Sequence, residues 1–152
     1  MTEINYWLMK SEPDAYSIDT LKNDGVTLWD GIRNYQARNF MRKMNKGDKV
    51  FFYHSNCKPP GIVGLMEVTN LNVVDPTQFD KNSKYFDPKS KPDNPRWDCV
   101  EVKYKYKSDK ILSLPELKTL FKEDELLVVK KGNRLSILPV RDDVAKLLLK
   151  KI

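Results

Sequence analysis

Apolar and aromatic residues occur along this chain in short blocks, and most of these blocks have the pattern of strands. Five blocks predict strands because they are rich in aromatic and β-branched residues and end at turn-forming residues. These are residues 5–10 (NYWLMK), 49–55 (KVFFYHS), 62–68 (IVGLMEV) with an extension toward 74, 97–106 (WDCVEVKYKY) and 135–138 (LSIL). The alternation of apolar and charged residues in 97–106 indicates a half-buried strand.

Helices are predicted where apolar residues recur every three or four positions beside a capping residue. Ala37, Phe40, Met41 and Met44 form such a face. Three shorter helices are predicted after Ser17, after the capping box that Ser113 begins, and around Val144, Leu147 and Leu148. Residues 75–96 lack periodicity and contain four prolines, which indicates a long loop. Such a loop is either a functional element or a flexible insertion.

Short strands separated by loops and scattered helices favour an α+β fold, a mixed β-barrel of about five to six strands surrounded by short helices. The length of 152 residues suits one domain, 1–152. No glycine-rich phosphate loop is present, so we expect no nucleotide cofactor. We expect a monomer.

Composition narrows the function only slightly. The net charge of +6 permits a polyanionic partner without requiring one. The longest apolar runs are too short to span a bilayer, and the N-terminal segment lacks the pattern of a signal peptide. We therefore expect a cytoplasmic protein, or a nuclear one if the source is eukaryotic, with Cys57 and Cys99 as free thiols. Neither cysteine has partners at ligand spacing, so we expect no metal.

The end of the first predicted strand combines a cation, a hydroxyl and a carboxylate in Lys10, Ser11 and Glu12. In an enzyme, Lys10 could act as a base or Glu12 as a general acid. The alternative is a solvated strand end without chemistry.

A second group of chemically useful residues lies in 27–41, TLWDGIRNYQARNFM. Trp29 precedes the turn signal Asp30-Gly31, and Asn34 precedes the helical pattern. Trp29 could close the core or form an exposed wall. A flat apolar face beside hydrogen-bonding groups is what recognition of a base requires.

Two further aromatic positions have a structural alternative. His54 is the only histidine, and it has neither a nucleophile motif nor metal-ligand partners near it in the sequence. A structural hydrogen-bonding role is therefore favoured for it. Trp97, at the junction of the long loop and a strand, could cap the core or form a second aromatic wall.

Five of these stretches together resemble the EVE domain family. YWLMKSEP, WDGIRNYQARNFM, GDKVFFYHSN, PGIVGLMEV and RLSILPV occur in the order and spacing of that family, over roughly residues 5 to 148. The resemblance implies a PUA-like barrel related to the YTH domain. It also implies that a base flipped out of DNA or RNA is held in an aromatic cage.

The resemblance implies specific residues for this pocket. Trp29 and Trp97 correspond to the positions of two cage tryptophans, which predicts them on opposite sides of one pocket. The remaining residues implied for the pocket are Lys10, Ser11, Asp30, Asn34, Tyr35, Tyr53, His54 and Ser55. Basic residues near the opening motif are candidates for phosphate contacts, namely Arg33, Arg38, Arg42 and Lys43.

Three functions remain open at this point. The favoured one is a non-enzymatic module that recognises a modified base, such as 5-methylcytosine, in nucleic acid. The alternative is a hydrolase acting on modified nucleosides, like the amidohydrolases among the PUA-like ASCH domains, with Lys10 and Glu12 as its working pair. The third is a protein-interaction domain that binds no nucleic acid.

Overall fold

A computed structural model of the chain describes residues 4–152, so the first three residues of the predicted domain lie outside the described part. It contains six strands and four α-helices. The strands are β1 (Tyr6–Ser11), β2 (Val26–Leu28), β3 (Lys49–His54), β4 (Gly61–Val74), β5 (Asp98–Ser113) and β6 (Ile137–Val140). The helices are α1 (Ile18–Asp24), α2 (Tyr35–Arg42), α3 (Leu114–Leu120) and α4 (Asp142–Leu149), with 3-10 turns at Pro76–Phe79 and Leu127–Val129.

The six strands form one mixed sheet in the order β2-β5-β4-β3-β1-β6. Only β1 and β3 are parallel, and the other neighbours are antiparallel. Three strands separate β1 from β2, yet residues at the ends of both line one cavity, so the sheet is rolled. The roll is not closed into a ring, because β2 and β6 each have a single neighbouring strand. The predicted α+β fold with a mixed sheet is confirmed.

Both faces of the sheet are buried, which explains why its central strands read as continuous apolar runs. On one face, Trp7 and Phe52 pack with α1 and α2. On the other, Leu8 and Phe51 pack with α3 and α4. Neighbouring residues of a strand point to opposite faces, so β1 and β3 contribute alternately to the two cores.

Side-chain caps start three of the helices where the sequence indicated. Ser17 Oγ accepts a hydrogen bond from the Thr20 N–H at 3.1 Å at the start of α1. Ser113 Oγ accepts from the Glu116 N–H at the start of α3. Asn34 Oδ1 accepts from the Ala37 N–H at 2.9 Å and so caps α2. Each cap satisfies an N–H group that has no partner within its helix.

The five predicted strands are confirmed, with β5 running seven residues past the predicted Tyr106. The three-residue strand β2 was missed because it is too short to show a period. The loop that precedes β5 is organised by Gln78, which is buried. Its amide nitrogen donates to the Asp75 and Trp97 carbonyls, at 2.7 and 2.6 Å. The long loop is therefore an ordered part of the fold.

Candidate functional site

A cavity of about 450 Å³ opens where β1 and β2 end and where the long loop folds back over them. β1 and its following turn contribute Lys10, Ser11 and Glu12. β2 and its following turn contribute 27–32, which includes Trp29 and Asp30. Its size falls within the range typical of small-molecule sites.

Trp29 is both a core residue and a wall of this cavity. Its indole packs edge-on against Phe52 and Tyr16, with ring centroids 5.5 and 6.4 Å apart. Only 7% of the residue is exposed. Trp29 therefore both closes the core and forms part of the cavity wall, so the two alternatives are not exclusive.

The long loop supplies a second aromatic wall that the sequence did not reveal, Tyr85. The Arg33 Nε–H donates to the Tyr85 carbonyl at 2.9 Å, which fixes the backbone of the loop. The Tyr85 ring lies against Gly31, where an added Cβ would come within 2.7 Å of a ring carbon. Residues 75–96 have no periodicity, so no local signal could have placed Tyr85 at the site.

The polar groups of the cavity are of both signs. Lys10 is half-buried, and this burial lowers the pKa of its ammonium group. The Ser11 hydroxyl donates to the Tyr16 carbonyl at 2.7 Å, which leaves its lone pairs free to accept. Asp30 is exposed as a whole residue, but desolvation of its carboxyl group and the nearby charge of Asp75 raise its pKa. Lys84 and Glu12 also line the cavity, which thus offers two cationic donors and several acceptors.

A second cavity of about 350 Å³ adjoins this edge of the sheet. Lys10 lines both cavities, while Tyr53 and Ser55 line only the second. β1 and β3 are parallel, so their ends meet at one edge, where the Ser55 N–H donates to the Ser11 carbonyl at 3.1 Å. Six of the ten implied pocket residues are consequently divided between two cavities, and the other four line neither.

Trp97 does not line either cavity, and the prediction that it faces Trp29 across one pocket is wrong. Its indole stacks on Tyr35, with centroids 4.8 Å apart and planes at 20°. Its Nε1–H donates to Asp87 at 2.8 Å, and Arg33 and Arg38 lie 5.2 and 5.7 Å from the ring. Only 5% of Trp97 is exposed. The long loop also holds the backbone of Trp97. The Trp97 N–H donates to the Gln78 side-chain oxygen, and the Trp97 carbonyl accepts from the Gln78 side-chain nitrogen.

The three arginines implied for phosphate contact are occupied within the protein. Arg33 donates to Asp75, Thr77 and two backbone carbonyls. Arg38 donates to Asn39 and to the Arg96 carbonyl. Arg42 pairs with Asp98 at 2.8 Å. These contacts make Arg33 a structural residue and leave Arg42, of which 43% of the side chain is exposed, as the most accessible of the three.

The remaining implied residues lie away from the first cavity. Asn34 caps α2, and Tyr35 is half exposed above Trp97. His54 Nε2 accepts from the Ile18 N–H at 3.1 Å, so its structural role is confirmed. Burial lowers the pKa of His54, in keeping with a neutral acceptor. Lys43 is exposed, with its ammonium 5.9 Å from the Phe40 ring.

Three further properties of the described residues limit other kinds of site. From residue 4 to the C-terminus, no group of three His, Cys, Asp or Glu side chains could hold a metal ion. Cys57 and Cys99 are free, and burial raises the pKa of Cys99 to about 12. No helix in this part of the chain has the length and apolarity needed to cross a membrane.

Comparison with known proteins shows similarity along nearly the whole chain. Thymocyte nuclear protein 1 of Rattus norvegicus is 50% identical over 126 residues, which cover 76% of this chain and 56% of the relative. A protein of Schizosaccharomyces pombe, C21.03c, is 41% identical over 143 residues, covering 85% of this chain and 59% of that protein. The chain thus spans little more than half the length of these relatives.

Solved structures share the fold. A Pseudomonas putida protein superposes with a TM-score of 0.91 at 45% identity, covering 95% of this chain and 97% of that one. The human THYN1 protein, solved in complex with 5-methylcytosine-containing DNA, gives a TM-score of 0.89 at 40% identity, with 96% of each chain covered. The expected PUA-like architecture is confirmed by these neighbours. Because the EVE domain model also matches residues 5–151, the chain belongs to the EVE domain family.

Proposed function

We propose that this protein is a non-enzymatic module that binds DNA carrying a modified base, and that it holds this base, flipped out of the helix, in the cavity between Trp29 and Tyr85. The observation that carries the proposal is the cavity itself. Three aromatic side chains, Tyr16, Trp29 and Tyr85, line it beside two lysines and several hydrogen-bond acceptors. Base recognition combines stacking with hydrogen bonds to the base edge.

The base class follows from the complementarity of the lining. Cytosine presents an amino donor, which the Ser11 oxygen or the Asp30 carboxylate could accept. The ring acceptors of cytosine suit the ammonium of Lys10. Leu28 and Ile32 add apolar surface to the cavity, which suits a 5-methyl group. We therefore propose 5-methylcytosine as the recognised base, which agrees with the DNA bound by the human relative.

The energetics allow such binding without catalysis. Stacking on an aromatic side chain contributes about 1–3 kcal/mol per base. Extruding a base from the duplex costs a few kcal/mol. Two walls can roughly offset that cost, so further affinity must come from edge hydrogen bonds and from phosphate contacts.

The test is a set of titrations with 5-methyl-2′-deoxycytidine and 2′-deoxycytidine, followed by matched DNA and RNA oligonucleotides. We expect the methylated nucleoside and the methylated DNA to bind more tightly than their unmodified forms. Equal affinity for methylated and plain cytosine would overturn the proposal. Tighter binding of the RNA oligonucleotide would contradict the choice of DNA.

A pair of glycine variants tests the position of the second wall. Gly31 and Gly25 both have φ of +79°, so alanine is strained at either position. At Gly31 the added Cβ meets the Tyr85 ring, whereas at Gly25 nothing lies within 4 Å. We expect Gly31→Ala to weaken nucleoside binding well beyond Gly25→Ala. Equal losses of nucleoside affinity in the two variants would show that Tyr85 is not part of the binding site.

Incubation with acylated cytidines separates binding from hydrolysis. Lys10 and Glu12 share the cavity, and the Glu12 carboxylate accepts from the Asn56 amide at 3.2 Å. Acylated cytidines should be recovered unchanged after prolonged incubation. Turnover that disappears in Lys10→Ala would instead favour the hydrolase.

A further inference from the structure

The second cavity differs from the first in its charge. Four lysines line it, namely Lys10, Lys118, Lys130 and Lys131. No acidic residue is among its lining residues. Two carboxylates lie at its border, since Glu12 accepts from Asn56 and Glu123 accepts from the Lys131 N–H at 3.4 Å.

The four ammonium groups have no ion-pair partner among residues 4–152. The arginines of the α2 region differ in this respect, because Arg33 and Arg42 are paired with carboxylates. Lys118, Lys130 and Lys131 are also exposed, so a ligand in solution can reach them. Like charges brought close together without partners repel each other, and an anion between them relieves that repulsion.

Lys10 connects this groove to the proposed base site. It lines both cavities, and its ammonium lies 5.9 Å from the ring of Tyr53, a lining residue of the second cavity. A base held in the first cavity would therefore lie beside the cavity that Lys118, Lys130 and Lys131 line, within the course that its own strand could follow.

We infer that Lys118, Lys130 and Lys131, which line the groove that Lys10 joins to the base cavity, bind the backbone phosphates that flank the extruded nucleotide. This inference rests on the proposed function for the location of the base. It moves phosphate recognition from the α2 arginines to the turn after Leu127–Val129 and to α3. Arg33 and Arg38 then serve mainly to hold the long loop through the Tyr85 and Arg96 carbonyls, whereas Arg42 pairs with Asp98 of β5.

The test compares two triple variants that remove the same charge. One is Lys118→Ala, Lys130→Ala and Lys131→Ala. Its control is Lys46→Ala, Lys103→Ala and Lys105→Ala, three exposed lysines that line neither cavity. Lys103 lies at the end of the sheet opposite to the groove. It pairs with Glu67, Glu67 pairs with Lys49 at the start of β3, and the groove residue Ser55 follows the other end of β3. Thermal unfolding of both variants verifies that they fold.

Affinity for a methylated DNA oligonucleotide is measured from low to moderate salt. In the groove variant, we expect the slope of log affinity against log salt to fall by about one to three, and the control to keep nearly the full slope. Affinity for 5-methyl-2′-deoxycytidine should stay unchanged, since a nucleoside has no phosphate. An unchanged slope in the groove variant, or equal losses in both variants, would overturn the inference.

These readouts separate the two proposals. If the nucleoside shows methyl preference but the groove variant behaves as wild type, the groove inference fails alone. If methylated and plain oligonucleotides bind equally but the groove variant loses its salt slope, the base-site proposal fails and the groove is a general phosphate site. Free inorganic phosphate, added as a competitor, shows whether the groove requires a polymer.

Discussion

Two tryptophans of this protein occupy different surroundings, although both are nearly buried. Trp97 is enclosed by Tyr35, two arginines and Asp87, and its polar groups all have partners in the protein. Trp29 packs against Phe52 on one side and borders a cavity on the other. Lys10, which has no ion-pair partner in the described part of the chain, lines the cavity beside Trp29, whereas Arg33 and Arg38 beside Trp97 are hydrogen-bonded within the protein.

This difference shows which polar side chains remain available to a ligand. Arg33 fits the description of a phosphate-binding residue by sequence, but its hydrogen bonds go to Asp75, Thr77 and the protein backbone. Lys10 has no ion-pair partner among residues 4–152 and lines two cavities. A charged residue with every donor satisfied internally stabilises the fold, while an unpaired one can bind.

The largest expected effect is on stability, from truncating either indole. Trp97→Ala and Trp29→Ala should each lower the free energy of unfolding by about 3–5 kcal/mol, because both are buried. Only Trp29→Ala should also weaken nucleoside binding by the folded fraction. Chemical denaturation and nucleoside titration measure the two effects. If Trp97→Ala lost nucleoside affinity and Trp29→Ala kept it, the binding site would lie at Trp97 and not at Trp29.

Asp75→Asn should destabilise the protein by about 3 kcal/mol at neutral pH, since it removes the charge that Arg33 faces. Burial opposes ionisation of Asp75, but hydrogen bonds from Thr77, Gly31 and Arg33 outweigh it and lower the pKa. A lowered folded pKa contributes stability above the ordinary aspartate value of about 3.9. That contribution is lost as pH falls through the folded pKa.

The pH dependence gives Asp75→Asn a distinct signature. The gap in unfolding free energy between wild type and variant should be full above pH ~5 and should narrow below pH ~4. Asp98→Asn, at the exposed pair with Arg42, is the matched control and should show a small gap throughout. A gap for Asp75→Asn that does not change with pH would mean that its charge is not what holds the loop.

Tyr85→Ala sharpens the comparison at the site. It removes one stacking wall, so we expect a loss of about 1–3 kcal/mol in affinity for the methylated nucleoside. Stability should change much less than in Trp97→Ala, because Tyr85 is only partly buried. Tyr35→Ala is the matched control, since Tyr35 stacks on Trp97 away from the cavity. Equal affinity losses in the two tyrosine variants would contradict the assignment.

The smallest expected effect is that of Arg42→Ala. Its exposed pair with Asp98 should contribute at most about 1 kcal/mol to stability. The salt slope of DNA binding should change far less than in the triple variant of the groove lysines. DNA titrations at several salt concentrations measure this slope. A fall by about one in the slope would restore Arg42 as a phosphate contact.

Local patterns in the sequence were sufficient for most of the secondary structure. The strands were indicated by aromatic and β-branched runs, and the caps at Ser17 and Ser113 by side chains that act within a few residues. Lys10, Ser11, Trp29 and Asp30 were implied by the family resemblance, and they do line one cavity. Their roles in binding a base stay predictions.

What the sequence determined by itself was therefore most of the elements, the family and four of the residues that line the first cavity. The tertiary structure decided which charges were already paired and which ring closed the cavity. Asp75 meets Arg33 across 42 positions, and Tyr85 meets Gly31 across a loop without periodicity. Such contacts depend on how the rolled sheet and the long loop pack together. Sequence patterns report neighbours within a turn or a strand, so they hold no record of these distant pairs.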